Sequence, residues 1–184
     1  MWQGLNGLEL SLMNWLISPI EGTFMDLLMS FFLFLARGSL VWILLTVFLL
    51  FDKRYRRTGY LTSAGLAISL LLSFVILKPI LARTRPFLLL EGYSLMFPLP
   101  ETYSFPSSQV TVAFAYVAMT WKSVKSLRIP VLAIASLVSL SKIYVYFNYF
   151  SDVVAGIFLG VFCGWFAVKL FEKYTVVRPE LPER

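Results

Sequence analysis

The chain has 184 residues, 59% of them hydrophobic and 14% charged. A soluble domain carries about 25% charge; that gap, with a mean hydropathy of +0.78, favours a membrane protein over a soluble all-helical core. The net charge of +6 is spread between apolar runs and not gathered on one polar face, which argues against nucleic acid as a partner.

Cys163 is the single cysteine and there is no histidine. An internal disulfide is therefore excluded, as are the histidine-containing and all-cysteine zinc sites. No cofactor or metal is expected. No basic stretch followed by a small-residue cleavage site marks a removable leader.

In chain order, Leu5–Ile17 reads as a short apolar helix stopped before Pro19. At about 1.5 Å per residue it falls short of a hydrocarbon core of about 30 Å, so an interfacial helix fits. Its Glu9 and Asn14 need water, headgroups or protein partners. Phe24–Phe51 is long enough to span, but Arg37-Gly38-Ser39 interrupts it. One kinked helix and two shorter helices are both compatible. Arg37 would face protein, water or an anion if it were embedded; otherwise it marks a junction near a surface.

Asp52–Arg57 is a basic loop, and Tyr60–Leu77 is the next span. A long polar insertion, 78–106, follows. Ser107–Trp121 is a marginal span, closed by Lys122, Lys125 and Arg128. Pro130–Phe147 and Val153–Leu170 complete the set. Gly156, Gly160 and Gly164 form a small-residue ridge suited to close helix contact. Residues 1–171 thus form one membrane domain, and 172–184 a polar, fraying tail on the cytoplasmic side. The fold class is all-α: a polytopic membrane bundle of about five or six transmembrane helices plus the short interfacial helix.

The basic segments 52–57, 122–128 and 169–184 fall on one side of this arrangement, which makes that side cytoplasmic. The 78–106 segment and the 148–152 turn then meet on the opposite side.

Polar residues of three segments collect there. Lys78, Arg83 and Arg85 lie within eight positions at a helix end. They suit phosphate or diphosphate, because Arg offers a planar fork and Lys a mobile point charge; snorkelling to headgroups is the plainer account. Phe105-Pro106-Ser107-Ser108-Gln109 precedes an apolar helix, so Ser107 can cap it and free N–H groups can attract an anion. Lys142 sits near the end of a span. Ser151 or Asp152 can cap the last helix, and Asp152 can pair with a cation of the facing loop. Tyr144, Tyr146, Phe147, Tyr149 and Phe150 read as an interfacial aromatic belt, or as a greasy wall beside a lipid tail.

Taken together, Lys78-x6-Arg85-Pro86, Pro106-Ser107-Ser108-Gln109 and Ser141-Lys142-x5-Asn148-x3-Asp152 resemble the three motifs of the type 2 phosphatidic acid phosphatase (PAP2) superfamily, in spacing and in order. The resemblance covers most of 20–171 and is similar to the small bacterial branch that includes undecaprenyl-diphosphate phosphatases. It implies Lys78, Arg85, Ser107, Ser108 and Lys142 as phosphate ligands and a phosphorylated isoprenoid or glycerolipid as partner. It also implies a multi-pass plasma-membrane location with the site on the extracytoplasmic side. A homo-oligomer or a partner membrane enzyme is compatible with it.

The family's third-motif histidine attacks phosphorus, an aspartate orients it, and the second-motif histidine protonates the leaving oxygen. Carried over, these are positions 148, 152 and 109. Asn148 and Gln109 stand there, so Asp152 would orient a nucleophile that is missing. An amide does not cycle protons near neutral pH. Lys142 also replaces an arginine, and Ser108 a glycine. The expectation is a lipid-phosphate binder without phosphohistidine chemistry: a pseudophosphatase, sensor or transporter. The alternative is an active lipid phosphatase of unusual chemistry, with Asp152 or a water as nucleophile and Glu101 as a distant acid–base group.

Overall fold

A computed structural model of the protein describes residues 2–91 and 99–175. The secondary structure among the described residues is helical, and the helices form a bundle around one buried helix.

Helix α1 (Gln3–Ile17) turns Asn6, Glu9, Met13 and Ile17 inward. Those residues fall on one stripe at near-helical spacing. Leu8 and Trp15 face outward and are exposed. The usual polarity of a surface helix is thus inverted, as expected where the surroundings are lipid.

Helix α2 (Thr23–Ala36) and helix α3 (Leu40–Phe51) are separate segments. Gly38 (φ 58°) and Ser39 (φ 61°) break the helix between them. The interrupted stretch is therefore two helices, while Thr23–Phe51 is together long and apolar enough to cross a membrane.

Helix α4 (Arg56–Leu70) passes into a π-helical stretch, Leu71–Leu77, and then into α5 (Lys78–Leu81). Pro79 accounts for the widened turn, because it has no N–H to return to the preceding turn. The polar insertion expected from residue 78 thus opens as helix. Ala82 (φ 40°) ends it, its N–H bonded 3.0 Å from the Lys78 carbonyl. A short 3₁₀ turn follows at Pro86–Leu89.

Helix α6 (Ser108–Ser123) is the centre of the bundle. Val110, Val112, Ala113, Ala115, Tyr116 and Met119 on it are all buried. It packs against α4, helix α7 (Arg128–Tyr144) and helix α8 (Phe150–Thr175). The α6–α8 seam is the glycine ridge. An added Cβ at Gly156 would lie 3.0 Å from the Ser107 carbonyl oxygen, and one at Gly160 would lie 2.9 Å from Phe114 Cβ. Absent side chains let these backbones approach.

Helix α7 ends at Tyr144, short of the expected Phe147, because Val145–Tyr149 forms a turn with Tyr146 at φ 51°. Helix α8 starts at Phe150 and runs to Thr175, past the expected boundary at 171. Lys173 in its last turn suits the negative helix end. Most of the expected tail, from 176 on, lies outside the described residues.

Among the described residues, four helical stretches are long and apolar enough to cross a membrane: Thr23–Phe51, Arg56–Leu89, Lys125–Tyr144 and Phe150–Tyr174. Exposed Leu44, Phe48, Phe51 and Phe158 give these stretches an apolar exterior. Helix α6 has 16 residues, about 24 Å by rise alone.

Candidate functional site

The turn after α5, the start of α6 and the α7–α8 turn meet at one end of the bundle. Backbone bonds hold them there. Phe87 N–H donates to the Tyr146 carbonyl (3.1 Å), Ser104 N–H to the Arg83 carbonyl (2.8 Å), and Ser107 N–H to the Asp152 carbonyl (3.2 Å). The Phe105–Pro106 peptide bond is cis.

A cavity of 720 Å³ opens at this junction. Lys78, Arg85, Ser107, Ser108, Gln109, Lys142 and Asn148 all line it. The three polar segments singled out in the sequence therefore converge, as the spacing implies. Asp152 and Arg83 are not among the lining residues; they lie behind the wall.

Arg85 is held in place by its neighbours. Its Nε donates to the Thr102 carbonyl (2.6 Å), Nη1 to the Phe147 carbonyl (2.6 Å) and Nη2 to Thr102 Oγ1 (3.1 Å). Lys78 Nζ donates to the Tyr103 carbonyl (2.8 Å) and Thr102 Oγ1 (3.2 Å). These acceptors are neutral, and neither side chain has an ion pair among the described residues. Lys142 is only 5% exposed, and its ammonium sits 5.3 Å from the centre of the Phe147 ring. It makes no hydrogen bond or ion pair among the described residues. A buried cation without a counter-ion is costly, and the open cavity is where an anion can supply one.

Ser107 occupies the capping position of α6, but its hydroxyl does not cap the helix. Ser107 Oγ instead donates to Asn148 Oδ1 (3.2 Å). Ser108 Oγ is buried and has no hydrogen-bond partner among the described residues. Gln109 lines the cavity and makes no side-chain hydrogen bond among the described residues.

Asn148 is fully engaged. Its Nδ2 donates to the Ser104 carbonyl (2.8 Å) and reaches Asp152 Oδ2 at 3.5 Å. Asp152 is thus beside residue 148, where an orienting carboxylate would be. It is also completely buried, and it accepts from Ser104 Oγ, Tyr149 N–H (2.9 Å) and Arg83 Nη1 (2.5 Å).

Sequence reading undervalued Arg83. It is completely buried. Its Nε donates to Asn6 Oδ1 (2.9 Å), Nη1 to Ser151 Oγ (2.6 Å) and Nη2 to Glu9 Oε1 (3.2 Å). Its guanidinium lies between the rings of Trp2 (4.7 Å) and Tyr149 (4.0 Å). Burial holds the Tyr149 phenol up at about 12, against the opposing pull of Arg83. The available signal was the pair of polar residues, Asn6 and Glu9, three apart on a mostly apolar helix that also carries Gln3, Ser11 and Asn14.

The aromatics near residue 148 are neither belt nor tail wall for the most part. Tyr146, Phe147 and Tyr149 are buried with Met13, Ile17, Leu33 and Phe87. Among the five expected aromatics only Phe147 lines the cavity. Tyr144 donates from its hydroxyl to Asp26 Oδ1 (2.5 Å). Helices α1 and α2 cover this cluster, and the apolar runs alone do not reveal that cover.

A multi-pass helical bundle with a cation-lined cavity at one end defines the class of molecule. The PAP2 superfamily pattern matches residues 57–175, and the chain belongs to that superfamily. It is 34% identical over 131 residues to an undecaprenyl-diphosphatase of Sulfolobus acidocaldarius; the match covers 71% of this chain and 63% of that relative, less than two thirds of its length. Among solved structures, Aquifex aeolicus LpxE is similar with a TM-score of 0.75 and 26% identity, over 88% of this chain and 95% of that one. A transmembrane PAP2-type phosphatidylglycerolphosphate phosphatase from Bacillus subtilis shares the fold, with a TM-score of 0.74 and 20% identity over 95% of this chain and 90% of that one.

Proposed function

We propose that the cavity binds the phosphate or diphosphate head of a membrane lipid, with Lys78, Arg85, Ser107, Ser108 and Lys142 as its ligands. The observation that carries this is Lys142: a buried cation, beside two others, turned to an open cavity without a counter-ion. Membership of the superfamily supports a lipid phosphate as the anion. In this reading α6 is a fifth crossing and residues 1–171 are the membrane domain. The positive-inside bias puts the cavity on the extracytoplasmic side of the plasma membrane, with 52–57, 122–128 and the C-terminus cytoplasmic.

Whether the bound lipid is hydrolysed separates two versions of this function. The named relatives favour hydrolysis over binding alone. Position 148 favours binding alone, because its amide is not a nucleophile. Asp152 is a poor substitute, since it is buried behind Asn148 with its oxygens already engaged. Hydrolysis by this chain would therefore use a water. The water oxygen bonds to phosphorus as the phosphorus–oxygen bond to the leaving group breaks, and the displaced proton passes to that leaving oxygen. Glu101 is the carboxylate among the lining residues, and in this version it receives the proton first.

The test is purified protein in detergent with a short-chain isoprenyl diphosphate and a glycerolipid monophosphate, following bound ligand and released phosphate together. Saturable binding that weakens in Lys142→Met supports the shared reading, and its absence sinks it. Phosphate release that is lost in Lys142→Met selects the phosphatase; binding without release selects the non-hydrolysing protein.

A further inference from the structure

Arg37 is a cavity-lining cation that this function leaves unused. The break at Arg37-Gly38-Ser39 lines the same cavity as Lys78 and Lys142. The Arg37 guanidinium has no hydrogen bond or ion pair among the described residues. Ser39 is 3% exposed, faces the cavity, and likewise has no side-chain partner there.

The backbone at the break is unusual. Gly38 and Ser39 are both left-handed (φ 58° and 61°). Glycine adopts that conformation freely, but serine does so at a cost. An added Cβ at Gly38 would meet nothing within 4 Å, so crowding does not explain the break. Its consequence is to start a new helix, α3, at the cavity wall. The first N–H groups of a helix carry partial positive charge and suit an anion.

The height of the break is fixed by packing. Thr46 Oγ1 and the Tyr116 hydroxyl share a hydrogen bond (3.0 Å), and the Trp42 and Tyr116 rings meet at a tilt with centroids 5.1 Å apart. Helices α3 and α6 run the same way from the cavity. Thr46 lies six residues below Leu40, and Tyr116 eight below Ser108, about 9 and 12 Å. The start of α3 thus stands level with the start of α6. One cavity has two helix openings at similar depth, each with a buried serine and at least one cation.

We propose that Arg37, Ser39 and the start of α3 form a second phosphate subsite, which makes the preferred ligand a lipid diphosphate and not a monophosphate. The inference rests on the lipid-phosphate reading above. One phosphoryl group sits with Lys78, Arg85 and Lys142, and the other with Arg37.

The experiment compares binding of a short-chain isoprenyl diphosphate and its monophosphate to the wild type, Arg37→Gln, Arg37→Lys and Lys78→Met, each checked for its unfolding temperature. Arg37→Gln should weaken diphosphate binding about 10- to 100-fold and leave the monophosphate unchanged. Arg37→Lys should recover part of that loss. Equal weakening for both ligands, as expected of a general headgroup contact, overturns the subsite; so does no change for either. Lys78→Met should weaken both ligands. If it weakens neither, the underlying lipid-phosphate reading fails; if it weakens both while Arg37→Gln weakens neither, only the second subsite fails.

Discussion

Arg83 Nη1 lies 2.5 Å from Asp152 Oδ1, and both side chains are completely buried. The pair joins the loop after α5 to the start of α8. Glu9 and Asn6 extend it to α1. Asp152 therefore serves as the anchor of an ionic cluster behind the cavity as well as the neighbour of Asn148.

Breaking that cluster should destabilise the protein. Removing one partner of a buried pair costs about 3–5 kcal/mol, because the other charge is stranded. Arg83→Met should lower the unfolding temperature in detergent markedly, and Arg83→Met with Asp152→Asn should recover part of the loss. Equal unfolding temperatures for Arg83→Met and wild type would show that the cluster contributes nothing.

Arg85 and Lys142 should behave differently when neutralised. Arg85 ties Thr102 to Phe147, so Arg85→Met should reduce both stability and lipid-phosphate binding. Lys142 has no such bonds, and Lys142→Met should weaken binding about 10- to 100-fold while leaving stability unchanged or higher. Thermal unfolding and ligand titration on the two variants check the contrast.

The α6–α8 seam should not tolerate side chains. At Gly160 an added Cβ would lie 3.0 Å from the Ala115 backbone nitrogen. Gly160→Ala should cost about 1–3 kcal/mol, and Gly160→Leu should prevent assembly. Gly4, with nothing within 4 Å of an added Cβ, is the control that should accept alanine. The readout is the fraction of folded protein recovered in detergent.

Histidine at 109 and 148 should open the covalent route. Asp152 Oδ2 is already 3.5 Å from the side chain at 148, ready to orient an imidazole there. Gln109→His with Asn148→His should release phosphate from a lipid diphosphate at least about 10²-fold faster than the parent. The double variant should gain a pH dependence near the histidine range. Equal rates would mean that more than these two groups is missing.

Much of this site is legible in the sequence because motif spacing survives folding. Lys78, Arg85, Ser107, Lys142 and Asn148 reach one cavity just as three separated polar segments imply. Charge bias and apolar runs place the helices well enough to bring those segments to one end. Boundaries are less legible: Pro79 widens a helix without ending it, and the turn at Tyr146 leaves α7 ending at Tyr144, three residues before the apolar pattern stops. The role of Arg83 is hidden because its partners come from α1, more than 70 residues away. Its burial depends on how α1 docks, which no local pattern reports. The aromatic residues near 148 mislead for the same reason, since α1 and α2 cover them.

The inward stripe of α1 has a practical corollary. Trp2, Asn6 and Glu9 make α1 and the residue before it a working part of the wall that backs Asp152. A shortened version starting after Ile17 should strip Arg83 of the Glu9 carboxylate and of Asn6, leaving Asp152 as its single counter-charge among the described residues.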